Sequence, residues 1–304
     1  MEALTQVVFS KSSLANLVSE YGGSLVGQQA VEAAQAGAVP SREATICPRT
    51  EPEAEAERMA VSLDGVMVHV REEGWKEAKV ATFSRVEVTA GEGTAEPEVH
   101  LSHHSYRAGL WEAGQFALQQ GAEGYRRGLG KTRVVIAVSD AAAWIWSIIA
   151  TWYAPCVQII DWWHALQRLW TIAGGAYGEG SEATRVWCKA LQEHLWAGDL
   201  RALLQAVRQH WPRGKALPDD VRQAVGYLYR YRQRMRYREY RAQGYPIGSG
   251  SVESACKVVV QERLVQAGMR WSREGAQAML ALRCALLSER WEATWRGLCP
   301  AQVT

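Results

Sequence analysis

Val134-Val135-Ile136-Ala137-Val138-Ser139-Asp140 and Cys156-Val157-Gln158-Ile159-Ile160-Asp161-Trp162-Trp163-His164 decide the architecture of this chain. Each opens with a short apolar run lacking polar alternation, the pattern of a strand buried on both faces. Ala141 to Tyr153 between them reads as a helix, and another helix begins at Trp162. Strand, helix, strand, helix implies a parallel unit with a right-handed crossover. Ligands of such units gather beyond the carboxyl ends of the strands. An aspartate stands just past each run: Asp140 after the first, Asp161 after the second.

Upstream the texture changes. Met59 to Val70 alternates apolar positions but is broken by Asp64-Gly65, a dipeptide typical of tight turns, which puts Asp64 at the end of a first strand. Trp75 to Phe83 alternates again after a Glu73-Gly74 turn, so this part reads as an antiparallel meander of about three strands. Residues 105–128 read as a helix. Residues 1–37 are mixed and weakly helical, and residues 38–58, rich in proline and glutamate, read as a linker. Residues 182–242 read as helical throughout. Within them Leu228 to Arg238 alternates arginine with Tyr, Gln or Met at period two, a strand pattern; the helix-forming residue types favour helix. Glu274 to Arg290 is an amphipathic helix, and no internal repeat is visible.

Three antiparallel strands, two parallel strands and then helices match an α/β, ribonuclease-H-like mixed sheet flanked by helices. The expected divisions are an N-terminal remnant and acidic linker (1–58), the first part of the core (59–181), an all-helical insertion (182–243) and the end of the core (244–297).

Composition excludes several classes. Hydrophobic residues make up 48% of the 304 residues and charged residues 22%, ordinary for a folded protein. There is no run of about 18 uncharged apolar residues to span a bilayer, and no secretion signal at the N-terminus. Six cysteines lie far apart with no C-x-x-C pair, which argues for reduced cytosolic thiols and against a zinc site or disulfide framework. A net charge of +2 says little about partners, but its distribution says more. Residues 201–241 hold eleven Lys and Arg against three Asp and Glu, whereas residues 1–60 hold four against eight, so one face suits a polyanion.

Gly244-Tyr245-Pro246-Ile247-Gly248-Ser249-Gly250-Ser251-Val252-Glu253 reads as a flexible, glycine-rich loop that starts a helix, with Glu253 in its first turn. A helix start presents free N–H groups and suits phosphate. Asp64, Asp140, Asp161 and Glu253 are four acids that such a fold can bring together. Clustered carboxylates repel one another, and divalent cations relieve the repulsion while activating a water or a 3′-hydroxyl. Mg²⁺ suits oxygen ligands, with Mn²⁺ as a substitute. Each acid also has a plain structural role: Asp64 as a turn residue, Asp140 and Asp161 as helix caps, and Glu253 as a first-turn glutamate favoured by the helix dipole.

Five ordered blocks carry a family resemblance. They are Ser62-Leu63-Asp64-Gly65-Val66-Met67-Val68 with Gly74 to Lys79; Ser139-Asp140-Ala141-Ala142-Ala143-Trp144-Ile145-Trp146; Ile160-Asp161-Trp162-Trp163-His164-Ala165; Arg234-Met235-Arg236-Tyr237; and Ile247 to Lys257 with Gly268-Met269-Arg270-Trp271-Ser272. Together they resemble DDE transposases of bacterial insertion sequences, of the IS-Kra type. The resemblance implies that Asp64, Asp140 and Glu253 are the metal-binding catalytic triad, spaced by 76 and 113 residues, the second interval holding the helical insertion. It implies Asp161 and His164 as accessory residues; at i,i+3 they share a helix face. The chain departs from the family at Ser139 and Ala141, where glycines are usual, and in the short, acidic N-terminal region, which reads as a truncation.

Arg230, Arg232, Arg234, Arg236 and Arg238, interleaved with tyrosines, are candidates for phosphate contact and base stacking, and Lys257, Arg263 and Arg270 follow Glu253 closely. A solvated helix with its tyrosines packed inward is the plain alternative. The implied partners are terminal-repeat and target DNA, bound by a homodimer or higher oligomer in the bacterial cytoplasm at the nucleoid. His100, His103 and His104 form a further histidine cluster with no matching block. The competing functions are a catalytically impaired DNA-binding remnant and a ribonuclease-H-like structure-specific nuclease.

Overall fold

The computed structural model describes residues 10–37, 56–91, 96–212 and 216–298, so the expected linker at 38–58 falls almost wholly outside the described residues. A five-stranded mixed sheet organises the chain. Strands β1 (Arg58–Val70), β2 (Gly74–Thr89) and β3 (Glu98–Gly109) form an antiparallel meander, and β4 (Val134–Ser139) and β5 (Val157–Ile160) extend it in parallel with β1, giving the order β3-β2-β1-β4-β5.

Asp64-Gly65 is not a turn. β1 runs straight through it, with Asp64 opposite Val80 and Gly65 opposite Lys79, and the chain reverses between Val70 and Gly74 instead. The apparent break has a physical origin. Val61 and Leu63 belong to one core cluster, whereas Val66, Val68 and Val70 belong to another. A change of parity along a strand is a change of face. Because Met59 to Leu63 are all buried, the strand passes at Asp64-Gly65 from two buried faces to one without losing its ladder. β3 likewise takes residues 105–109, expected to be helical, because they pair with Lys79–Phe83; the helix α3 (Ala113–Arg126) starts only afterwards.

Before the sheet, α1 (Lys11–Leu17) and α2 (Gly23–Gly37) are joined by a π-helical turn, and α2 sets Leu25 against Ala281 and Ala285. Helices α4 (Ala143–Trp152) and α5 (Trp162–Tyr177) follow β4 and β5. Then come α6 (Glu182–Trp196), α7 (Leu200–His210), α8 (Asp219–Arg230) and α9 (Tyr237–Ala242), whose buried residues are continuous with the core of the sheet. The segment from Leu228 to Arg238 is neither a strand nor one helix. It breaks after Arg230, passes through a 3₁₀ turn at Arg232–Arg234 and restarts at Tyr237. The tertiary reason is visible: Tyr237 Oη donates to the Ile160 carbonyl at 3.0 Å, and Tyr240 Oη, which donates to the Gln233 carbonyl at 2.9 Å, lies 3.4 Å from that of Gln158. These two tyrosines satisfy and cover the edge strand β5.

The chain closes with α10 (Gly250–Ala255), a π-helical turn (Cys256–Gln261), α11 (Glu262–Leu264), α12 (Arg273–Leu287) and α13 (Trp291–Leu298). Val252, Ala255, Cys256, Val259 and Val260 join Val66, Val68 and Val70 of β1 and Ala78 and Val80 of β2 in the second cluster. Trp271 pairs with the end of β1, its N–H donating to the His69 carbonyl at 3.2 Å. Among the described residues, no helix is long and apolar enough to cross a membrane.

Candidate metal centre

Asp64 occupies an even position on β1, on the face where α10 and its π-helical extension pack, and Cys256 Sγ lies 3.6 Å from its Oδ2. Its Oδ1 accepts the Gly65 N–H at 2.7 Å. Burial pushes the Asp64 carboxyl above its ordinary range; the Gly65 N–H pulls the other way, and the charge of Asp140 raises it further. Asp140 follows β4 directly. The end of β4 is tied to the middle of β1 by the Leu63 N–H, which donates to Ser139 Oγ at 3.0 Å. Ser139, which departs from the usual glycine, is thus a strut between the strands that carry Asp64 and Asp140. Asp140 Oδ1 accepts the Ala142 N–H at 2.9 Å, holding the chain just ahead of α4.

Asp161 is buried and fully engaged. It caps α5, with Oδ2 accepting the His164 N–H at 2.9 Å and lying 2.9 Å from His164 Nδ1, while Oδ1 accepts the Ser249 N–H at 2.6 Å. The Trp162 N–H also donates to the Ile247 carbonyl at 2.9 Å. The loop leading into α10 is therefore strapped to the start of α5. Of its glycines, only Gly244 has a left-handed backbone (φ +68°); Gly248 and Gly250 do not require one. The helix start is also not an open phosphate cradle, because Asp161 already takes the Ser249 N–H.

His164 is drawn toward its charged form by the hydrogen bond to Asp161, against the opposing effect of burial, and the charges of Asp161, Asp140 and Asp64 add to the same direction. Burial acts to raise Asp161, but its hydrogen bonds from His164 and Ser249 outweigh that and hold it below the usual carboxylate range. Glu253 is exposed in the first turn of α10, and Ser249 Oγ donates to its Oε1 at 3.2 Å. One ligand atom each from Asp161, His164 and Glu253 lies within 4.8 Å of the others, so this group can hold a metal ion.

The fold thus brings Asp161, His164 and Glu253 within metal-ligand reach of one another, while Asp64 and Asp140 act on His164 by charge without joining that group. Asp64, Asp140 and His164 feel one another's charge, and Glu253 joins through His164 and Asp161. Sequence reasoning missed Cys256 and Ser249, although both share the Glu253 helix, at i+3 and i−4. It also missed Arg283, which donates to the Val258 and Val259 carbonyls in the π-helical turn, the latter at 3.0 Å.

The basic candidates do not form one stripe. Arg230 is exposed beside Asp140 and His164. Arg232 folds back onto the Tyr229 ring at 4.4 Å, Arg234 lies over Trp146 at 4.0 Å, and Arg236 pairs with Glu239 at 3.0 Å. Arg238 is exposed near Gly198, and Lys257, Arg263 and Arg270 are exposed on the segment after Glu253. Among the described residues, His100, His103 and His104 make no metal group: His104 Nδ1 meets Ser84 Oγ at 2.7 Å, and His100 approaches Glu98 at 3.8 Å. No protein-family model matches this chain, and no curated protein matches it either.

Proposed function

We propose that the chain is the catalytic part of a DDE transposase resembling the IS-Kra type, cleaving DNA at insertion-sequence ends and joining the freed 3′-hydroxyl to target DNA. One observation carries the reading: acids from β1, the end of β4, the start of α5 and α10 converge on one region, with too little positive charge beside Asp64 to settle it. The strand order and directions fit a ribonuclease-H-like sheet, and α6 to α9 fit an insertion between the second and third acids.

The donor set suits a hard cation. Asp64 is raised by burial and by Asp140, a cost that a divalent ion removes. By the resemblance, Asp64, Asp140 and Glu253 would hold Mg²⁺, or Mn²⁺ in its place, although the residues whose ligand atoms lie within 4.8 Å of one another are Asp161, His164 and Glu253. Such an ion supplies Lewis acidity at the phosphate and lowers the pKa of a bound water or hydroxyl. Asp161 then acts through its neighbours, fixing the start of the Glu253 helix and the orientation of His164. His164 offers positive charge at the rim of the acidic group, where phosphate enters.

The test is Mg²⁺-dependent cleavage and strand joining on DNA carrying the element's ends. Asp64→Ala, Asp140→Ala and Glu253→Ala should each abolish both reactions and leave the circular dichroism spectrum unchanged. Activity retained in any of the three removes that residue from the triad. Cleavage without joining supports a nuclease instead.

A further inference from the structure

A cavity of about 490 Å³ opens between α5 and α8, beside the acidic group. Asp140 and His164 belong to its lining, and Arg168 lies one turn beyond His164 along α5. From α8 come Gln223, Gly226, Tyr227 and Arg230. The volume lies in the range of small-ligand pockets and admits one nucleotide, not a duplex.

Its chemistry is divided. Arg168 and Arg230 bring two guanidinium groups, which match phosphate oxygens. Tyr227 and Tyr231 bring aromatic rings, with centroids 5.0 Å apart and planes inclined by 62°. Arg168 stands over the Tyr227 ring at 4.7 Å, so the cationic and aromatic parts adjoin. Tyr227 Oη and Arg168 Nε are both buried with no hydrogen-bond partner among the described residues. Unpaired buried polar groups are costly, and both belong to residues that line this cavity. Burial pushes the Tyr227 phenol well up, which keeps its proton available for donation. At Gly226 an added Cβ would meet no atom within 4 Å, so this side of α8 is open.

We propose that this cavity is a nucleotide pocket, taking one unpaired nucleotide of a nucleic-acid strand with its phosphate on Arg168 and Arg230 and its base against Tyr227 and Tyr231. The assignment of a nucleic-acid strand rests on the phosphodiester chemistry proposed for the neighbouring acids. Asp140 repels phosphate from its end of the cavity, which sets the direction in which the nucleotide lies. The Gln223 amide, with a donor and an acceptor, is available to the edge of the base.

The experiment titrates the full chain, in EDTA, with the 5′-monophosphate of 2-aminopurine deoxyriboside and follows its fluorescence. Saturable quenching is expected, with the unphosphorylated nucleoside and inorganic phosphate each weaker by at least about ten-fold. Arg168→Ala should weaken the nucleotide by a similar factor. Gly226→Leu should narrow the cavity and weaken quenching by at least about ten-fold without lowering Tm, since an added Cβ there meets no atom within 4 Å. Absence of quenching, quenching unchanged in Gly226→Leu, or inorganic phosphate competing as well as the nucleotide would each overturn the pocket. DNA cleavage is measured in parallel. Nucleotide binding without metal-dependent cleavage in the unsubstituted protein defeats the transposase reading and leaves the pocket standing. Cleavage without nucleotide binding does the reverse.

Discussion

Glu123 on α3 and Asp64 on β1 are both carboxylates set into the fold, and what surrounds them differs in sign. Glu123 is completely buried and meets three arginines: Arg126, Arg290 at 3.1 Å and Arg107 at 3.9 Å. Burial pushes its carboxyl up, but Arg290, Arg126 and Arg107 outweigh that and hold it far below the ordinary range. Asp64 meets another acid, Asp140, and its carboxyl is raised. The first arrangement is complete within the chain and stabilises it. The second is left unbalanced, and groups whose pKa is displaced by burial and like charge mark functional sites more often than structural ones.

The contrast can be tested from both sides. Glu123→Ala leaves three arginines facing a buried gap and should cost about 3–5 kcal/mol in a denaturant titration. A loss under about 1 kcal/mol, the scale of an exposed ion pair, would erase the contrast. Because the folded Glu123 pKa is lowered, its contribution is fully present above the unfolded value near 4.5 and disappears as pH falls through the folded one. Unfolding measured from neutral pH downward should therefore show less acid sensitivity in Glu123→Gln than in the unsubstituted protein.

The opposite outcome is expected at the acidic group. Asp64→Asn should lower metal-dependent cleavage by about 10²–10³-fold or more while Tm holds or rises, because it removes a repelled charge. A fall in Tm would place Asp64 with Glu123 as a structural acid. Mg²⁺ at about a hundred times its Kd should stabilise the unsubstituted protein by about 2.7 kcal/mol and Asp64→Asn far less. Thermal unfolding with and without the ion checks this.

Asp161→Ala should act between these extremes. It frees the Ser249 N–H and His164 together, so cleavage should fall about 10–100-fold, with faster amide exchange at residues 247–253. Normal exchange there would mean that the strap does not hold the Glu253 helix. The smallest effect belongs to Tyr237→Phe, which removes the hydroxyl from the Ile160 carbonyl and should cost about 1 kcal/mol with cleavage unaltered.

Much of this arrangement was legible along the chain. The run at Val134 read correctly as a buried strand, because both faces of a central parallel strand demand apolar side chains and the signal is local; the run at Val157 is a strand too, but an edge one with Val157 and Gln158 only half-buried. The aspartates after them followed directly. The helix at Trp162 and the helix start at Ser249 to Ser251 were equally plain. Asp64-Gly65 misled, since a turn-forming dipeptide and a passage from two buried faces to one leave the same mark on the sequence. Leu228 to Arg238 misled in another way: Tyr237 and Tyr240 serve the edge of β5, a demand that no helical or strand period encodes.

Local patterning therefore established most of the strands and helices and the acids Asp140, Asp161 and Glu253 at their ends, because neighbours in sequence share one backbone geometry; it placed Asp64 at a strand end where the strand runs on. It did not establish how those acids are held. The Ser249 N–H reaches Asp161 across 88 positions, Cys256 reaches Asp64 across 192, and Leu63 reaches Ser139 across 76. Each is a single contact between distant segments, with no repeating partner to leave a period in the sequence. The same holds for Glu123, whose neutralising charge comes from α3, β3 and the turn before α13 at once. Which carboxylate is balanced and which is left beside a like charge follows only once the sheet has closed and the charges have neighbours.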